Sequence, residues 1–116
     1  MHYVFVYGSL KQGEYHHYLL KQNPHFLGKL EGYVLLTSSA NYPAITEGNG
    51  YVEGEINLVD DDTLRALDHL EGHPTFYIRK KVMVAIETTP HKIESWTYVI
   101  VNPNQWVKAN QSNWSS

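Results

Sequence analysis

The chain has 116 residues, with 9 Lys and Arg against 12 Asp and Glu, a formal net charge of −3. Its 42% hydrophobic and 18% charged content is that of a single ordinary globular domain rather than of a disordered or membrane-embedded chain. A slight negative charge with no basic run gives no footprint for a phosphate backbone or an anionic lipid surface, so neither nucleic acid nor membrane is expected as a partner. The absence of cysteine removes a thiolate nucleophile, a redox pair, an iron–sulfur cluster and every cysteine-bearing zinc site. Chemistry is left to carboxylates, hydroxyls, histidines and backbone.

The apolar run Tyr3 to Tyr7 has the β-branched and aromatic content of a strand covered on both faces, and it stops at Gly8. It is too short for a signal-peptide core or a membrane span, and a cytoplasmic location is expected. From Glu14 to Gln22 the spacing of Tyr15, Tyr18 and Leu19 predicts a short amphipathic helix closed by Pro24. Phe26 to Thr37 is strand-like, with Gly28 and Gly32 expected at bulges or bends. Ser38 to Asn49 reads as a loop, Tyr51 to Val59 as a strand, and Phe76 to Ile86 as a strand with Phe76, Ile78, Val82, Val84 and Ile86 on one face. Thr89 to Lys92 predicts a hairpin turn into a last strand from Glu94 to Val101, and residues 102–116 form a tail, partly ordered or flexible. Strands without regular intervening helices disfavour a doubly wound sheet and suit an α+β fold, a small barrel or curved sheet with one or two attached helices.

The clearest helix runs from the aspartates at 60–62 to Gly72, with Pro74 just beyond. Leu64 and Leu67 define its buried stripe, and Glu71, seven and four residues further on, falls on the same face. Burial and the negative end of the helix dipole both raise the pKa of a carboxyl placed there, toward the range useful for proton transfer. On periodicity alone two readings stand: an acid/base aimed inward, or a carboxylate that swings out to solvent or pairs with Arg79 or Lys80. Gly8 likewise is either a turn or the start of a concavity of backbone N–H groups suited to a small anion such as a substrate carboxylate. His69 and His73 flank Glu71 in an order that does not match a zinc-protease helix, and no metal is expected.

Taken in order, Val4-Phe5-Val6-Tyr7-Gly8-Ser9-Leu10-Lys11, Gly13, Tyr42-Pro43-Ala44-Ile45, Gly54-Glu55-Ile56 and Leu67-Asp68-His69-Leu70-Glu71-Gly72-His73-Pro74, with Tyr77, Arg79, Trp96 and Tyr98, resemble the gamma-glutamylcyclotransferase-like family. The similarity is greatest to its small bacterial members and to gamma-glutamylamine cyclotransferases. The resemblance implies a small mixed β-barrel and a cofactor-free reaction on a small γ-glutamyl substrate, in which the substrate's own α-amine attacks its γ-carbonyl to give 5-oxoproline and release an amine. It also implies that the loop Tyr7, Gly8, Ser9 and Leu10 holds the substrate α-carboxylate and that Glu71 is the general acid/base; Tyr7, Tyr42 and Tyr77 are candidates beside the reacting carbonyl. His16, Asn57 and His73 depart from residues common in the family. A non-catalytic module binding a γ-glutamyl or other amino-acid-like ligand would share the barrel and the loop, but a carboxylate facing an apolar stripe costs stability without a role to offset it, which favours the enzyme.

Overall fold

The computed structural model describes residues 1–8, 10–14, 16–20, 24–40 and 42–114. Strands β1 (His2–Val6), β2 (Phe26–Thr37) and β3 (Pro43–Val59) precede helix α1 (Asp61–Glu71), and β4 (Tyr77–Ile86), β5 (Lys92–Ile100) and the two-residue β6 (Val107–Lys108) follow it. The strand order is β3-β1-β5-β4-β2, and β2 also pairs with β3, so five strands close into a barrel with β6 added along β2. β1 and β5 are parallel, with Val4 opposite Trp96, and the other pairs are antiparallel. This is the mixed barrel that the sequence led us to expect, with one α-helix attached.

β1 is apolar on both sides because it separates two cores. Phe5 and Tyr7 join Leu30, Ile45, Ile56, Val84 and Val99, drawn from all five barrel strands, in the interior. Val4 and Val6 face outward, where Leu64 and Leu67 of α1 pack over them together with Tyr98 and Ile100 of β5. Tyr7 and Gly8, at the end of this doubly covered strand, are therefore held by packing on both sides.

The segment from Pro43 to Asn49 is strand and not loop: Pro43 to Glu47 pair with Thr37 to Tyr33 of β2. Its turn-forming residues belong to an irregularity inside a long hairpin. Between the pairs Glu31/Tyr51 and Tyr33/Glu47, Gly32 at φ 84° faces Gly48, Asn49 and Gly50. Gly32 is the expected bulge, whereas Gly28 stays in register with Gly54. A Cβ on Gly28 would stand 2.7 Å from Val84 Cγ1 and 3.2 Å from Ile56 Cδ1, so this glycine lets three strands converge over the core.

In place of an amphipathic α-helix from Glu14 there are successive three-residue turns, Glu14 N–H to Lys11 C=O, His17 to Glu14 and Leu19 to His16, ending in a 3-10 helix at His17–Leu20. With three residues per turn the apolar stripe is not preserved, and Tyr18 lies exposed while Leu20 is buried. Tyr15 and Gln22 lie outside the described residues. Phe76 precedes β4 and is 54% exposed, so the inner row of that strand is Ile78, Val82, Val84 and Ile86.

Candidate active site

Helix α1 owes its sharp ends to its sequence. Asp60 caps the start, its carboxylate accepting from Thr63 N–H at 2.7 Å. At the other end Gly72 takes the left-handed conformation (φ 66°), with Gly72 N–H donating to His69 C=O and His73 N–H to Asp68 C=O, the paired bonds of a Schellman stop. Glu71 is thus the last helical residue, at a fixed angle on the side carrying Leu64 and Leu67.

It opens onto a cavity of about 560 Å3. Tyr7, Gly8 and Leu10 from the β1 loop, Tyr42 before β3, and Tyr77 from β4 line the same cavity. Ser9 lies outside the described residues. Gly8 does not have the left-handed φ of Gly13 or Gly72; its lack of a side chain serves space, because a Cβ there would meet Pro43 Cγ at 2.6 Å. The β1 loop and the start of β3 thereby share one wall of the cavity.

Glu71 makes no hydrogen bond or ion pair with a described residue. Arg79, one partner considered for it, is engaged elsewhere: its Nε stands 3.0 Å from Asp68 Oδ1, and its guanidinium lies 4.2 Å from the Trp96 ring centroid. Lys80 is exposed. With no counter-charge among the described residues, burial raises the Glu71 pKa from 4.5 to about 7. The surrounding tyrosines register the same environment, for burial first and then the Glu71 charge push the Tyr77 hydroxyl upward, and burial, Tyr77 and Glu71 do so for Tyr7.

Both hydroxyl protons are committed. Tyr7 O–H donates to the Tyr98 carbonyl at 2.6 Å, and Tyr77 O–H donates to the Pro43 carbonyl at 2.7 Å. These two side chains tie β1 to β5 and β4 to β3 across the floor of the cavity. Tyr98, also in the lining, donates its O–H to Asp68 Oδ1 at 2.7 Å, so one aspartate on α1 anchors both Tyr98 and Arg79 one turn before Glu71. Asp68 was not legible as a support, because its partners lie on strands about 10 and 30 residues later, which only the fold brings together.

Of the three departures, His16 lines the cavity and Asn57 does not. Asn57 is fully buried, and neither its Nδ2 nor its Oδ1 has a hydrogen-bond partner. His73 Nδ1 accepts from Arg79 N–H at 3.0 Å. Among the described residues no group of three or more His, Asp or Glu is placed to hold a metal ion. The tail supplies a wall that the sequence left open: Trp114 lines the cavity, while Lys11 Nζ donates to Asn113 Oδ1 at 2.5 Å and to the Trp114 carbonyl. Ser112 is bonded to Glu53 through both its carbonyl and its hydroxyl.

A family model described as "Gamma-glutamyl cyclotransferase, AIG2-like" matches residues 4–116. The chain belongs to this family. It is 36% identical over 116 residues to the gamma-glutamylaminecyclotransferase of Bos taurus, covering 90% of this chain and 69% of that protein. It is 35% identical over 113 residues to the gamma-glutamylcyclotransferase family protein YtfP of Escherichia coli K12, covering 94% and 91%. Among solved structures, an AIG2-like protein of Mus musculus superposes with a TM-score of 0.85 at 26% identity, over 99% of this chain and 88% of that one. The match extends to residue 116, so it takes in the tail.

Proposed function

We propose that the protein is a cofactor-free γ-glutamyl cyclotransferase that closes a γ-glutamyl amide to 5-oxoproline and releases the amine, with Glu71 as general acid/base. The observation that carries this is the Glu71 carboxyl, buried at the end of α1 with no counter-charge among the described residues, in a cavity it shares with the β1 loop; that burial raises its pKa to about 7. Such a group is present in both protonation states near neutrality, as a residue that must both accept and donate requires. Family membership and the bovine relative's name support the same class of reaction.

In this reading the backbone of Tyr7, Gly8, Ser9 and Leu10 receives the substrate α-carboxylate, and Tyr42 and Tyr77 flank the γ-glutamyl chain. The Glu71 carboxylate takes a proton from the α-ammonium. The freed amine attacks the γ-carbonyl carbon, forming the ring C–N bond. As the tetrahedral centre collapses, the bond to the leaving nitrogen breaks and that nitrogen takes a proton from Glu71. Two protons pass in all from the α-nitrogen to the leaving amine, and the carboxylate ends as it began. With the hydroxyl protons of Tyr7 and Tyr77 held by carbonyls, the donors left for the developing oxyanion are backbone N–H groups of the loop and the Tyr42 hydroxyl. Holding the γ-glutamyl chain folded, with amine and carbonyl in contact, supplies the rest of the acceleration.

The test is 5-oxoproline release, followed by mass spectrometry, from γ-glutamyl amines, γ-glutamyl amino acids and glutathione. Wild type is expected to turn over at least one, and Glu71→Gln to lose at least about 100-fold in kcat, the usual scale for a general acid/base. Product from none of them, with 5-oxoproline still bound, points instead to the binding module; an undiminished Glu71→Gln removes the acid/base assignment.

A further inference from the structure

Asp68 and Glu71 stand three residues apart on α1, the spacing that makes side chains neighbours on a helix. Glu71 opens onto the cavity, and Asp68 holds a cation. Arg79 Nε lies 3.0 Å from Asp68 Oδ1, and the two side chains are only 19% and 21% exposed, so solvent and salt screen the pair incompletely. The same oxygen accepts the Tyr98 O–H at 2.7 Å, the guanidinium rests on Trp96, and the Arg79 N–H donates to His73 Nδ1 at 3.0 Å. His73 N–H in turn donates to the Asp68 carbonyl. Arg79 is thereby fastened to the chain on both sides of Glu71. The Tyr98 hydroxyl is pushed up by burial first and then by Asp68, with Arg79 opposing and Glu71 adding. The charges of Asp68, Arg79 and Glu71 therefore act on one point of the cavity lining, yet burial, and neither charge of the pair, displaces the Glu71 carboxyl.

From this we infer, resting on the cyclotransferase reading, that Asp68 is a positioning residue for the reaction: it ties down Arg79 and cancels its charge, so that Arg79 does not pair with the Glu71 carboxyl three residues on and leaves it to take and return the substrate's proton. A cation within about 4–6 Å of a carboxyl holds it ionised and lowers its pKa by about 1–3 units. A Glu71 held in that way is a weaker base for the α-ammonium proton. The pair works in both directions, because Asp68 without Arg79 is a second negative charge beside Glu71 and raises its pKa instead. The other described titratable side chains lining the cavity with Glu71 and Tyr98 are Tyr7, Tyr42, Tyr77 and His16. Variants of the pair retain all of them, so a shift between variants reports the pair.

The experiment compares wild type, Asp68→Asn, Arg79→Gln and the double variant in two readouts: the pH dependence of kcat/KM, read as 5-oxoproline, and the titration of the Glu71 side-chain carboxyl by 13C NMR, which needs no turnover. Asparagine keeps an oxygen for the Tyr98 O–H and removes the charge. Asp68→Asn is expected to move the Glu71 titration and the acid limb of kcat/KM down by at least about one pH unit, and Arg79→Gln to move both up by a similar amount. The double variant is expected to bring both back toward wild type. The titration of either single variant decides the sign by itself, so the test survives if one of them fails to fold. A merely structural link would lower activity or stability and leave the titration in place. That result, or shifts of the same sign in the two single variants, would overturn this inference and leave the cyclotransferase reading standing. Titrations that move as expected, with no 5-oxoproline from wild type on any γ-glutamyl compound, would overturn that reading and with it the part of Asp68 in catalysis.

Discussion

A carboxyl that titrates at about 7 in the folded protein and near 4.5 when unfolded ties stability to pH with a definite sign. Between those values the folded state binds the proton and the unfolded state releases it, so stability is undiminished below about pH 4.5 and falls as pH rises to about 7. The loss is at most about 3–4 kcal/mol, since each pH unit between the two values is worth about 1.4 kcal/mol. Glu71→Gln is therefore expected to be more stable than wild type by about 1–3 kcal/mol at pH 8 and indistinguishable near pH 4, measured by urea unfolding; a less stable variant at pH 8 would mean that the carboxylate has favourable partners. In wild type, kcat/KM is expected to climb with pH up to about 7 and then level, because the base must be ionised to accept the first proton. The face on which Glu71 lies was legible because its spacing from Leu64 and Leu67 is local geometry, whereas its role as acid/base came from the family resemblance. The hydroxyl bonds of Tyr7 and Tyr77 were not, because each acceptor is a carbonyl of a distant strand.

Helix α1 positions Glu71 through its two ends, and both were written in the sequence. Asp60→Ala is expected to lower stability by about 1 kcal/mol in chemical denaturation, the usual worth of an N-cap. Gly72→Ala forces an L side chain to a φ of 66° with its Cβ 3.2 Å from Phe76 Cβ, so it should lower kcat as well as stability by loosening the turn after Glu71. Elements failed to be legible where tertiary pairing overrode local signals. Pro43, Gly48 and Gly50 look like loop residues, yet the partner strand and the Gly32 bulge absorb them into one hairpin. The segment after Gly13 has helical spacing, but it closes as three-residue turns that deliver Leu20 to the outer core.

At the scale of the whole molecule, the barrel closes through β2 with β3, and neither β6 nor the tail is part of that ring. Ending the chain after Asn110 is expected to keep the strand signal in circular dichroism and a single cooperative transition. It should lose about 1–3 kcal/mol, because the bonds of Lys11 to Asn113 and Trp114 and of Glu53 to Ser112 go with the tail. Strands without intervening helices left a barrel or a curved sheet open and the family resemblance pointed to the barrel; the position of Trp114 was not readable, because it depends on the contact to Lys11 and on that of the neighbouring Ser112 to Glu53, made across the whole chain. What the assembled molecule offers is one carboxyl with a displaced pKa and, in the described part of the cavity, no serine, threonine, lysine or cysteine. The most direct measurement is therefore the fate of label in a γ-glutamyl amide bearing 15N at its α-nitrogen, turned over in 18O-water. Cyclisation predicts 5-oxoproline with 15N in the ring and no 18O, formed by wild type and not by Glu71→Gln. Glutamate carrying 18O would mean that water is the nucleophile, and would contradict the account.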